Sequence, residues 1–198
     1  MSTAMALPIG SDTLGGTIPR AGKYGGLLAM GLILFAELML FSAFISAYLV
    51  SRGFATSWPP SDLPTLPVGR TTIYSGFLLL SALTLIFGIR SRRQHQRSKV
   101  RFWHWVTVGL GALFVTLQGG EWFRLLEYGL TIRSGSYGRF FYLIIGAHAL
   151  HAIIGLLMLT WFFPLRRKEN LPAVDPVSLY WIFVVTLWPI LFGVVYVF

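Results

Sequence analysis

The chain contains five long apolar runs, and their length restricts the folds that it can adopt. A helix needs about 20 mainly apolar residues to cross the hydrocarbon core of a bilayer. The runs are Gly26–Val50, Thr71–Ile89, Phe102–Leu117, Phe140–Phe163 and Leu179–Phe198. The third run is short, so we expect its helix to continue to about Trp122 or beyond. Because the alternating strands of a β-barrel are absent, the sequence predicts an all-α polytopic membrane protein with five transmembrane helices.

Composition agrees with lipid as the surrounding solvent. Only 12% of the 198 residues are charged, whereas a soluble domain carries roughly 25%. The chain has no cysteine, which excludes disulfides, thiol catalysis, iron–sulfur clusters and thiolate metal sites. We interpret residues 1–25 as a polar N-terminal tail that lacks the features of a cleaved signal peptide. Residues 26–198 are expected to form one five-helix membrane domain.

The positions of the basic residues predict the orientation of the helices. Of the 16 Lys and Arg residues, eleven lie in the N-terminal tail and in the second and fourth connections. The other five lie in the first and third connections. The positive-inside rule therefore places the N-terminus in the cytoplasm and the C-terminus outside. We interpret the net charge of +9 as a topology signal, not as a nucleic-acid surface.

Glu37 lies in the middle of the first apolar run, within LFAELMLFSAF. An acidic side chain at the centre of a span costs about 2.5–3.5 kcal/mol on insertion scales, so it needs a partner or a function. Two interpretations stay open. Glu37 is either a carboxylate that handles protons or a neutral acid that forms a hydrogen bond between helices for packing.

His148 and His151 lie three residues apart in the fourth run, on adjoining parts of one helical face. They could ligate a metal or a haem, or they could form hydrogen bonds with a nearby carboxylate or carbonyl. Because only Glu37 and Glu121 are available from other helices as further ligands, we predict no metal site. Taken alone, Glu121 is interpreted as a solvated carboxylate near a helix end.

Five segments of the chain, taken together and in this order, are similar to segments of a known protein family. They are FAELMLFSAFISAYL around Glu37, SWPPSDLPTLPVGR with the helix after it, LFVTLQGGEW, SYGRFFYLIIGAHALHAIIGL and YWIFVVTLWPILFGVVY. Jointly they resemble the cytochrome c oxidase subunit III family of the haem–copper terminal oxidases, in its five-helix form without the first two helices. The chain departs from the family pattern at Ile182, where many members have His, and at Val185, where many have Asp.

The resemblance implies a non-catalytic subunit of a cytochrome-c oxidase type complex in aerobic electron transport. Haem and copper would lie in partner subunits and none on this chain, although bound phospholipid is expected. The partners would be the catalytic subunit I and other respiratory subunits, for which this chain supports stability, proton uptake and the access of lipid and oxygen. By position, the buried polar residues with a proton or interhelical role are Glu37, Glu121, His148 and His151. The expected lipid or partner contacts are Trp58, Arg70, Gln118, Arg139 and Trp181.

Other functions remain open from the sequence. The chain could serve a quinol oxidase, because other subunits choose the electron donor, or it could be a subunit-III-like component of a nitric oxide reductase assembly. A small proton-coupled transporter that uses Glu37 belongs to a different class, but such proteins usually show inverted repeats and broken helices, which we do not find. A membrane metalloprotein would have to use Glu37, Glu121, His148 and His151.

Overall fold

A computed structural model of the chain describes residues 25–61, 63–162 and 174–197. Within these ranges the chain forms five long helices and a π-helical turn, with no strand. The elements are α1 (Gly25–Gly53), α2 (Val68–Arg93), α3 (Arg97–Glu127), α4 (Gly135–Trp161), α5 (Pro176–Phe192) and the π-helical turn Gly193–Val197. All five helices are long and apolar enough to cross a membrane. The all-α class and the five spans are confirmed, whereas the division into tail and membrane domain stays a prediction.

Helix α3 differs most from the predicted span, because it begins at Arg97 and ends at Glu127. The apolar run ends at Leu117, and the prediction that the helix continues to about Trp122 or beyond is confirmed. Beyond Leu117 the polar side chains of Gln118 and Glu121 have partners on other elements of the chain. A helix whose polar residues are paired inside the protein can extend past the end of its apolar stretch.

The five helices alternate in direction, so their ends form two groups. We call one group the basic end, because it carries the cations from Arg90 to Arg101. Helices α1, α3 and α5 begin there, and helices α2 and α4 end there. Two contacts join elements there: Gly26 lies against Pro176, and Arg92 pairs with Asp175 at 3.0 Å. The other group of helix ends is the distal end. Which end faces the cytoplasm stays a prediction.

Helix α5 occupies the centre of the bundle and brings two tryptophans into the core. The indole Nε1 of Trp181 donates to Ser81 Oγ at 3.1 Å, and that of Trp188 donates to Ser75 Oγ at 2.7 Å. Trp181 was expected to contact lipid or a partner subunit, and this expectation is wrong. Its side chain is fully buried within the chain, because glycines on α3 and α4 leave room for the ring and Ser81 satisfies its polar edge.

Helix α1 lies at the periphery and contacts α4 and α5 along one narrow seam. Its buried residues are Met30, Phe41 and Tyr48. Glu37 lies one helical turn before Phe41, on the same seam, and is half-buried. The carboxylate of Glu37 therefore lies at the boundary between α1 and α4.

Candidate functional site: buried polar contacts between helices

Glu37 and His151 meet across the interface between α1 and α4. Oε2 of Glu37 lies 2.9 Å from Nε2 of His151, and the two side chains are 25% and 13% exposed. The other ring nitrogen, Nδ1, lies 2.7 Å from the carbonyl oxygen of Ala147. The phenyl ring of Phe41 packs edge-on against the imidazole at 5.3 Å. The acid in the middle of the first apolar run thus faces another helix of the same chain.

This arrangement restricts where the protons of the pair can be. A carbonyl oxygen only accepts hydrogen bonds, so Nδ1 of His151 must carry a proton to bond Ala147. Two states then remain for the pair. In the first, the ring of His151 is neutral, Nε2 is unprotonated and Glu37 is protonated. In the second, His151 is an imidazolium whose Nε2 carries a proton, and Glu37 is a carboxylate. Both forms hold the same number of protons and have no net charge. The contact is close at 2.9 Å, but its geometry is not that of a hydrogen bond to Oε2.

Tyr180 of α5 also contacts α4 next to the Glu37–His151 pair. Its hydroxyl donates to the backbone carbonyl of His151 at 3.4 Å. Tyr180 also lies against Gly155, one turn from His151 on α4. Three helices thus meet at the Glu37–His151 contact.

His148 has different surroundings, although it lies only one turn from His151. Its ring is almost fully buried and stacks on Trp188 at 4.9 Å with an interplanar angle of 30°. Neither ring nitrogen has a hydrogen-bond partner among the described residues. The two histidines therefore do not act on one common partner. In the described part of the chain, no three His, Cys, Asp or Glu side chains come together in a way that could hold a metal ion.

Glu121 is buried near the distal end, and one of its oxygens, Oε1, accepts hydrogen bonds from three side chains. Arg124 Nη1 lies 2.7 Å away, the hydroxyl of Tyr74 3.3 Å and Arg70 Nη1 3.5 Å. Taken alone, Glu121 was interpreted as a solvated helix-end carboxylate, and that interpretation is wrong, because the residue is only 3% exposed. The resemblance had instead placed Glu121 among the buried polar residues. Sequence reasoning missed Tyr74 and Arg124, although the spacing of Arg124 three residues after Glu121 is a signal for an ion pair on one helix.

Gln118 was expected to contact lipid or a partner subunit, and this expectation is also wrong. The side chain is buried, and its Nε2 donates to the hydroxyl of Tyr196 at 2.9 Å. Tyr196 lies in the π-helical turn that follows α5. An amide inside a membrane protein needs a polar partner, and the wider backbone of the π-helical turn supplies one from the far end of the chain.

Trp58 and Arg139 both lie at the distal end, with different surroundings. The indole Nε1 of Trp58 donates to the hydroxyl of Tyr48 at 3.0 Å, and its ring packs edge-on against Tyr137. Trp58 therefore attaches the loop after α1 to α1 and α4. Arg139 is exposed and forms hydrogen bonds only within its own helix among the described residues, to the Gly135 carbonyl and to Ser136. A lipid or partner contact at either residue stays a prediction.

Comparison with known proteins covers nearly the whole chain. The family described as Cytochrome c oxidase subunit III matches residues 10–198. This chain belongs to the cytochrome c oxidase subunit III family. It is 33% identical over 180 residues to "Probable cytochrome c oxidase subunit 3" of Nocardia farcinica, covering 86% of this chain and 87% of that one. It is 30% identical over 175 residues to "Cytochrome c oxidase subunit 3" of Bacillus subtilis, with coverage of 85% and 84%. It is 27% identical over 188 residues to the protein of that name in Thermostichus vulcanus, with coverage of 91% and 92%.

Membership of the subunit III family confirms the resemblance found in the sequence. The chain is a multi-pass membrane protein and a subunit of a haem–copper oxidase, an oxidoreductase complex, and it associates with the other subunits of that complex. All five resemblance segments contribute to the polar contacts described above, through Glu37, Trp58, Gln118, His151 and Tyr196. In this subunit III the recognisable polar residues therefore mark contacts between helices.

Proposed function

We propose that this chain is the non-catalytic subunit III of a respiratory haem–copper terminal oxidase, with cytochrome c as electron donor. It supports the stability of the catalytic subunit, its proton uptake and the access of lipid and oxygen to it. The observation that carries the proposal is the match to subunit III over residues 10–198. The geometry supports a non-catalytic role, since Glu37, Gln118 and Glu121 are each engaged by side chains of the chain itself.

The proposal includes the surroundings of the chain. Partner subunits, first of all the catalytic subunit I, hold the haem and copper. The basic end faces the cytoplasm of a bacterial cell, and the protein lies in the inner (plasma) membrane. Trp58, Arg70 and Arg139 contact lipid or partner subunits at the distal end.

Within this function, the Glu37–His151 pair takes part in proton handling. The two groups lie 2.9 Å apart, and Glu37 keeps 25% of its side chain exposed. A proton can therefore reach the pair from the surface of α1 and move between the two side chains. The net neutrality of the pair lowers the cost of keeping it inside the bundle.

The assignment is tested by purifying the tagged chain from its native membranes in mild detergent and recording a reduced-minus-oxidised absorption spectrum of the co-purifying material. We expect an a-type haem band that is lost when this chain is stripped from the complex and measured alone. A spectrum with b- or c-type haem only would favour a quinol oxidase or nitric oxide reductase setting. A chain that purifies alone and without haem would overturn the oxidase proposal.

Glu37→Gln is expected to leave the complex assembled and to lower its turnover severalfold. Glutamine keeps the size and polarity of the side chain but cannot carry an exchangeable acidic proton. Oxygen consumption and proton release by reconstituted vesicles measure the effect across a pH range. Glu127→Gln is the matched control, because Glu127 is an exposed acid at the distal end. Equal turnover and pumping in the two variants would contradict a proton role.

A further inference from the structure

A small cavity lies at the basic end of the bundle, between α2, α3 and α5. Its volume is ≈ 20 Å³, and a single buried water molecule needs at least about 10–15 Å³. The walls come from the last turns of α2, the first two turns of α3 and the first turn of α5. Because helix ends lie at the depth of the lipid headgroups, water is available close to this cavity.

Three polar side chains line the cavity, one from each helix. They are Arg92 of α2, His104 of α3 and Ser178 of α5, and the last two are 5% and 1% exposed. A guanidinium donates hydrogen bonds, a neutral imidazole has one donor and one acceptor, and a hydroxyl can do both. A buried water typically makes about three hydrogen bonds. The walls therefore offer one polar side chain for each bond that such a water makes.

The charges around the cavity favour a guest that is neutral and polar. The guanidinium of Arg92 in the wall disfavours a cation. The carboxylate of Asp175 disfavours an anion, because it contacts both Arg92 and Ser178, at 3.0 and 3.1 Å. An apolar guest would leave His104 and Ser178 against carbon atoms, which is costly for buried polar groups. Water has none of these disadvantages, since it is neutral and both donates and accepts.

We infer that this cavity binds one water molecule, which joins His104 of α3 to Arg92 of α2 and Ser178 of α5. The oxygen of Ser178 can accept a hydrogen bond from the water while its hydroxyl donates to Asp175. The water thereby adds a link between α3 and the Arg92–Asp175 ion pair, which connects α2 to the start of α5. The inference uses only the packing of the helices, so its failure would leave the oxidase assignment untouched.

The first test is X-ray radiolytic footprinting of the purified complex in water labelled with heavy oxygen, with mass spectrometry as the readout. Radiolysis of a bound water makes hydroxyl radicals in place, and these oxidise the side chains beside it. We expect His104 to take up the label although it is only 5% exposed. V100I adds a methyl group at the cavity wall, where it competes with the water for space, and should lower this labelling severalfold.

V108I is the matched control, because Val108 lies on the same helix and packs against the core without lining the cavity. It should label His104 as strongly as the wild type does. Equal labelling of His104 in V100I and V108I would overturn the inference.

A second test keeps the volume constant and changes only the polarity of the wall. V100T replaces a methyl group by a hydroxyl, which has a partner if the cavity holds water. We therefore expect the thermal unfolding midpoint of the complex to change by less than about 1 °C, whereas V108T, in dry packing, should lower it by about 2–4 °C. An equal fall in both variants would indicate a dry cavity and overturn the inference. A wild-type midpoint that rises with chloride at constant ionic strength would indicate an anion and would overturn it as well.

Discussion

Gly155→Leu is expected to prevent stable packing of α4 against α5. A Cβ at this position would lie 2.8 Å from Cε3 of Trp181 and 3.2 Å from Cε1 of Tyr180, which is closer than carbon atoms approach without strain. A leucine adds three further carbons in the same direction. We therefore expect a loss of about 3 kcal/mol or more in the free energy of unfolding, the upper part of the range for overpacked cores.

The ring of Trp181 cannot move aside to accommodate the new side chain. Its Nε1 is held by Ser81 of α2 at 3.1 Å. On the opposite edge, the ring contacts Gly111 of α3, where a Cβ would lie 2.7 Å from Cζ2. Three helices thus close around one indole, and any displacement would break the bond to Ser81 or collide with α3. The same reasoning predicts a similar effect for Gly111→Leu.

The measurement is the yield and the thermal unfolding midpoint of the protein in mild detergent. Gly146→Leu is the matched control on the same helix, because nothing lies within 4 Å of a Cβ at Gly146. That change should be neutral or slightly stabilising, since glycine costs about 1 kcal/mol in a helix relative to alanine. A Gly155→Leu protein with the yield and midpoint of the control would contradict this account of the core.

Asp175→Ala is expected to have the second largest effect, by loosening the start of α5. The carboxylate accepts a hydrogen bond from the backbone N–H of Ser178 at 2.9 Å, which caps the helix. Its second oxygen pairs with Arg92 of α2 at 3.0 Å, and the side chains are 5% and 18% exposed. Loss of the cap costs about 1 kcal/mol, and removing one partner of a buried ion pair costs about 3 kcal/mol or more.

Asp175→Asn distinguishes the two contributions. Asparagine keeps an oxygen that can cap Ser178 but has no charge to pair with Arg92. We expect the unfolding midpoint to fall in the order wild type, Asp175→Asn, Asp175→Ala. Equal midpoints for wild type and Asp175→Ala would show that the basic end does not depend on this residue.

Several features of the fold could be predicted because they depend on short stretches of chain. The five spans follow from runs of apolar residues, and the prediction that α3 extends past Leu117 followed from the bilayer thickness alone. Glu37 could be singled out because an acid in an apolar run is costly wherever the helix packs. Its partner could not be named, because His151 reaches it only in the particular rotation of α4 against α1.

The wrong expectations at Gln118 and Trp181 came from the family resemblance, carried over by position, which does not say which way a side chain faces. The structure buries both, since each finds a polar partner on a distant element, Tyr196 and Ser81. Asp175 was not a sequence candidate, because nothing in its neighbourhood along the chain indicates that Arg92 faces it.

The sequence by itself determined the class of the protein, the number of its helices and the family to which it belongs, because apolar length and local motifs are properties of contiguous residues. Only the tertiary structure decided which polar groups meet: Glu37 with His151, Glu121 with Arg70 and Arg124, and Asp175 with Arg92. Such pairs depend on the rotation and the axial register of whole helices. Packing of large side chains such as Trp181 against Gly111 and Gly155 sets both quantities.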